Sequence, residues 1–181
     1  MKRLVWFWNL IHYCLFEIQL GFYNLFKFIN PLRYILKTAT AKKAFEKKRG
    51  IKDISDHIDE VVFSNNINGP SITWAGMHMS ALIIGIEFLC FNLLQILFKI
   101  NLLEKIFDND LYGIFLILTL FIIGSLINYF TIFKEKKYLP YFDEFNKLPK
   151  NRIRLYCILC LIGYLSIEIL VVVSFTWFRN L

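Results

Sequence analysis

Charge is what this chain has least of. Asp, Glu, Lys and Arg make up 19% of its 181 residues, below the roughly 25% usual in soluble domains. That shortage excludes an ordinary water-facing surface, because most exposed positions of a soluble globule need polar groups. Proline is also scarce. The four prolines, Pro31, Pro70, Pro140 and Pro149, all fall outside the three long apolar runs, which are therefore free to form unbroken helices. Cysteine is too sparse for a disulfide framework, and Cys14, Cys90, Cys157 and Cys160 lie within apolar sequence, where a thiol acts as a small hydrophobe. Catalytic signatures are missing as well. The sequence has no H-E-x-x-H, no G-x-S-x-G and no glycine-rich phosphate loop, the patterns that zinc hydrolysis, serine hydrolysis and nucleotide binding require. Arg49 and His57 are separated by seven residues, wider than the Arg-to-His spacing of some helical ribonucleases. The expected class is non-enzymatic, with no cofactor and no metal.

What is abundant is apolar and aromatic sequence, at 57% and 18%. Disordered chains are poor in both, so membrane embedding is the class left. Residues 75–98, 111–133 and 155–178 are each long enough, at about 1.5 Å per residue, to cross roughly 30 Å of hydrocarbon. The expected fold is all-α: a polytopic helical membrane protein with three transmembrane helices and an N-terminal amphipathic helix, interfacial or a fourth span. On a helical wheel Leu4, Phe7, Leu10, Ile11, Leu15, Ile18, Phe22, Leu25, Phe26 and Ile29 fall on one side, opposite Asn9, His12, Glu17, Gln19, Asn24 and Lys27. That pattern suits a helix lying in the interface or packed against other spans. The organisation expected is residues 1–30 as this helix, 31–72 as a basic cytoplasmic helical segment and 73–181 as the three-helix membrane region.

The net charge of +7 points in a membrane chain to anionic lipid headgroups and fixed orientation, with no specific nucleic acid as partner. Eight Lys and Arg lie between residues 30 and 72 and seven between 134 and 154, whereas residues 99–110 hold Lys99 and Lys105 beside Glu104, Asp108 and Asp110. The positive-inside bias then places both basic segments in the cytoplasm and the C-terminus outside, in the inner membrane of a bacterium. Arg33, Lys42, Lys43, Lys47, Lys48 and Arg49 are the expected headgroup or partner contacts, on an amphipathic helix ending near Gly50, with a second short amphipathic helix expected over 52–63. Ser71 or Thr73 is expected to cap the first span. Tyr138, Tyr141, Phe142 and Phe145, set between lysines, are expected as interfacial anchors.

Four polar residues stand out within the spans. Glu87 and Glu168 lie near the middle of the first and third, where a charge is costly and faces a bundle interior or a water-filled path. Spans one and three are parallel in this topology, so the two carboxyls are expected at similar depth, as a proton-sensitive or cation-attracting pair or as neutral acids bonded to Tyr164, Asn92 or Ser125. Tyr164 reaches Glu168 by its i to i+4 spacing. Asn128, with Gly124 and Ser125, gives the middle span a small polar face for close helix contact. Asp56, His57 and Asp59 read as a solvated acidic face, and Cys157 and Cys160 as packing residues.

In size, span count and charge the layout resembles bacteriocin immunity proteins and the small membrane accessory proteins of antiviral defence systems. The first implies blockade of a pore-forming toxin within the bilayer. The second implies a self-associating protein that alters membrane permeability as a pore, or recruits a membrane partner.

Overall fold

A computed structural model describes residues 2–26, 69–102, 106 and 110–178, with isolated positions 29, 34, 38, 43, 46, 47 and 57 between the first two stretches. Arg33, Lys42, Lys48 and Arg49 fall outside the described residues, as does nearly all of the second expected cytoplasmic helix. Lys43 and Lys47 are described, helical and exposed.

Five α-helices make up the described architecture: α1 (Lys2–Phe26), α2 (Pro70–Phe98), α3 (Asp110–Asn128), α4 (Tyr138–Asn146) and α5 (Lys150–Phe178). Three helical stretches are long and apolar enough to cross a membrane, Ser71–Phe98, Leu111–Lys136 and Lys150–Thr176, with mean hydropathies of 2.2, 2.2 and 2.5. The first begins on Pro70 at its opening turn after Gly69 in extended conformation, a position that suits proline because its missing N–H has no helical partner. Neither expected cap residue acts as one. Thr73 Oγ1 donates to the Gly69 carbonyl at 3.5 Å, and Ser71 is buried with its hydroxyl unpaired.

α2 is the central helix, touching α1, α3 and α5. Its contacts with α5 advance in the same chain direction, from His78 against Tyr164 through Gly85 against Ile167 to Phe88 against Phe175, so the two run parallel. α3 runs the opposite way, with Gly124 against Ile83 and Ile84 and Asn128 against Ser80. After Asn128 the chain widens into a π turn, Tyr129–Phe133, which shifts the following side chains around the axis. Phe133 lands on Gly76, where a Cβ would overlap its ring, and its other neighbours are the rings of His12 at 5.7 Å and Tyr138 at 6.1 Å.

The tightest packing is gathered at one end of the bundle. There α1 and α4 meet the first half of α2, the π turn and the first half of α5, around Tyr13, Phe16, Met79, Ile132, Phe142 and Phe145. The residues expected as headgroup anchors are largely core: Tyr138, Phe142 and Phe145 are buried, and Tyr13 meets Phe142 edge to face at 4.9 Å. Edge-to-face pairs of this kind add to simple area burial, and they hold α4 against α1.

α1 is buried around its middle and exposed at its ends. Asn9 and His12 of its polar side are fully buried together with Leu10 and Leu15 of its apolar side, while Leu4, Phe7, Phe22, Leu25 and Phe26 of the apolar side and Asn24 of the polar side are exposed. The two faces of the helical wheel do not separate inside from outside, because α2, α4 and α5 all pack on the central turns.

The Gly76 contact gives a direct test of this packing. Gly76→Ala forces Phe133 off its neighbours and is expected to cost about 1–3 kcal/mol, read as a lower thermal midpoint in detergent. Gly163→Ala, where nothing lies within 4 Å of the added methyl, leaves the midpoint unchanged or raises it.

Candidate functional site

Polar side chains within the bundle form two clusters. In the first, Asn128 joins three helices: its Nδ2 donates to Ser80 Oγ at 2.7 Å and towards the Gly76 carbonyl at 3.5 Å, and its Oδ1 accepts from Trp8 Nε1 at 3.4 Å. Small residues make this approach possible, since Gly76 and Ser80 lie one turn apart on α2 and Gly124 lies one turn before Asn128. In the second cluster, near the other end of α2, Asn92 Nδ2 donates to Ser174 Oγ at 2.9 Å. Gln95 Nε2 reaches Asn92 Oδ1 at 3.5 Å, and Gln95 Oε1 accepts the Leu102 amide at 2.9 Å. All three of these side chains are buried. Sequence inspection found Asn128 and missed Gln95 and Ser174, although Asn92 and Gln95 stand three residues apart in an otherwise apolar run, on one face of a helix.

The two intramembrane carboxyls are not brought together. With His78 beside Tyr164 and Gly85 beside Val171, Glu168 lies level with about residue 82 of α2. Glu87 therefore sits five residues further along, about 7.5 Å in helix rise. They also face differently. Glu87 shares the α3-facing side of α2 with Ser80, two turns away, and its Oε2 is buried without a hydrogen bond. Glu168 points off the bundle and is exposed, within electrostatic range of Tyr164 on the preceding turn. Among the described residues Glu168 makes no ion pair or hydrogen bond, and Asn92, an expected partner for a carboxyl, is committed to Ser174 and Gln95.

At the packed end, His12 is fully buried in a box of rings: Phe133 at 5.7 Å, Tyr138 at 5.6 Å and Phe142 at 5.4 Å. Neither ring nitrogen has a hydrogen-bond partner among the described residues. Burial drives its pKa down from the usual 6.5 to about 4, against a weaker opposing effect of the Ile72 backbone. One turn on, burial raises the Glu17 carboxyl, partly offset by Tyr13. The Cys157 thiol is directed at the Cys14 carbonyl at 3.8 Å and the Cys160 thiol at the Ile11 carbonyl at 4.0 Å, so both sulfurs pack α5 onto α1. Among the described residues no group of three or more His, Cys, Asp or Glu is placed to hold a metal ion.

Between α1, α2 and α5 lies a cavity of about 490 Å³, within the roughly 300–1,000 Å³ range of small-molecule sites. Its walls are apolar, with Trp6, Phe7, Ile11, Ile86, Gly163 and Ile167 among them.

His12 makes the attachment of α1 pH-sensitive. A histidine with a lowered folded-state pKa binds its proton more readily in the released state, so its contribution is intact above about pH 6.5 and is lost as pH falls towards 4. The loss is roughly 3 kcal/mol. Glu17, with a raised folded-state pKa, acts in the opposite sense over the acid range. The difference between wild type and His12→Phe isolates the histidine: the wild-type thermal midpoint should fall more steeply than the variant's between pH 7 and pH 4.5.

No protein-family model, no characterised protein and no solved structure matches this chain, and its function has to be argued from its own geometry.

Proposed function

We propose that this protein is a non-enzymatic integral membrane protein that assembles with further copies of itself through the outer face of α5. Glu168 carries the proposal. It sits near the middle of a spanning helix, faces away from its own bundle, and is flanked on that face by the exposed Leu161, Leu165 and Val172. Only 6% of the apolar window of α5 is buried, so most of this helix is available to a neighbour. An ionised carboxyl facing lipid costs roughly 2.5–3.5 kcal/mol on insertion scales, and protonation with a hydrogen-bond partner is the route to lowering that cost. A second copy supplies such a partner by symmetry. In a two-fold arrangement a residue beside the axis meets its own counterpart, and two protonated carboxylic acids placed there donate to and accept from one another.

The exposed apolar ends of α1 are consistent with a helix bathed in lipid, in the cytoplasmic half of the bilayer where the basic segments keep it. The two polar clusters of one bundle lie at separate ends, and Leu82 and Ile83 are buried between them, an arrangement that supports a membrane accessory role over conduction through a single copy. The orientation proposed has basic connections in the cytoplasm and the C-terminus outside, in the inner membrane of a bacterium engaged in defence or competition.

Native mass measurement in mild detergent tests the assembly. Wild type is expected as an oligomer, weakened about 3- to 30-fold by Glu168→Leu, with Glu168→Gln retaining most of it because an amide pair also bonds reciprocally. A wild-type monomer, or an unchanged Glu168→Leu oligomer, overturns the proposal. Ion flux above background from wild-type liposomes overturns the accessory role in favour of a conducting assembly.

A further inference from the structure

We propose that the cavity between α1, α2 and α5 holds one acyl chain of an anionic phospholipid, whose headgroup is drawn to Lys2 and Arg3. Four features select this occupant. The cavity is a half-open slot lined by apolar side chains of three helices, so a polar solute would lose hydrogen bonds on entry while a chain from the surrounding lipid can enter from the side. Its volume of about 490 Å³ suits a single hydrocarbon chain, whereas another helix, some 10–12 Å across, is too wide to enter. Gly163 forms part of the wall, and no atom lies within 4 Å of where its Cβ would stand, so the wall beside it is unfilled and has room for an occupant. The fourth feature is charge. Lys2 and Arg3 are exposed and lie one turn before Trp6 and Phe7 on the same faces of α1, and both of those aromatics line the cavity. An apolar slot continuing into two cations matches an anionic amphiphile, and a bilayer supplies one at high local concentration.

Trp6 and Trp8 both line the slot and report its occupant once Trp74 and Trp177 are replaced by phenylalanine. The protein is reconstituted in phosphatidylcholine vesicles containing equal small fractions of either phosphatidylglycerol or phosphatidylcholine brominated in mid-chain, and tryptophan quenching is compared. The brominated phosphatidylglycerol should quench more strongly. Lys2→Gln and Arg3→Gln should each weaken that preference by roughly fivefold. Gly163→Leu, which fills the slot from α5, should reduce quenching by both lipids, and Ile86→Phe provides the same block from α2 should the first variant fail to fold. Equal quenching by the two headgroups in wild type overturns the anionic preference. Quenching unaffected by a folded slot-filling variant overturns the cavity as the site, because a general attraction of the basic protein for anionic lipid would survive that change.

Discussion

Asn128 is the tie on which the arrangement of the bundle depends. A bilayer core offers no water to an amide, so each of its polar atoms must be met by the protein. Asn128 solves this by bonding Ser80 on α2 and accepting from Trp8 on α1, which fixes the rotation of three helices about one another. Dispersion forces between apolar helices specify little of this kind, because a lipid tail is as good a neighbour as a leucine. The second tie, Asn92 to Ser174, sets α5 on α2 near the other end. Between them lie Gly85 and Gly124, where an added Cβ would stand at about van der Waals distance from Ile167, Ile83 and Ile84 of the facing helices.

The three spans were legible because their signal is length, and a long apolar run leaves the chain no alternative in lipid. Helix faces were harder. The wheel of α1 divides Leu4, Phe7 and Phe22 from Asn9 and His12, but burial follows position along the helix and not its face. The central turns, with Asn9, Leu10, His12 and Leu15, are buried from both sides, and the ends, with Leu4, Phe22 and Leu25, remain outside. Surroundings also decided the place of Tyr138, Phe142 and Phe145. Aromatics among lysines match an interfacial belt, yet α4 uses them to seal the end of the bundle against Tyr13 and Trp6. No local pattern separates those outcomes, since both place an amphipathic ring at the same depth. The π turn was equally silent in sequence, and it alone brings Phe133 onto Gly76.

α1 is held both by the Trp8 bond to Asn128 and by aromatic contacts around His12, whose burial disfavours its proton. The second kind of contact differs from the amide ties. Asn128 and Asn92 keep their hydrogen bonds at any ordinary pH, whereas burial of His12 among rings favours the neutral imidazole, so this contact is expected to weaken as pH falls. The described structure thus joins a fixed three-helix frame to a fourth helix whose attachment can be graded, and the lipid slot proposed here lies on the seam between them.

Glu87 and Glu168 show why residue type and depth alone do not define an intramembrane site. Both are glutamates near the centre of a span. Glu87 is turned towards the neighbouring helix, with one oxygen buried, so its environment is set within a single chain. Glu168 is exposed on the most thinly covered helix of the three, and among the described residues only the nearby Tyr164 is in electrostatic range of it. The physical problem posed by Glu87 is solved, or left as strain, by folding. Under the proposed self-association, the problem posed by Glu168 would be met by a neighbouring copy. A chain selected only for stable insertion would carry leucine there at no structural loss, since no described side chain rests on that carboxyl. Its presence on the outer face is what the proposed association would account for, since the packing of the described bundle does not call for it.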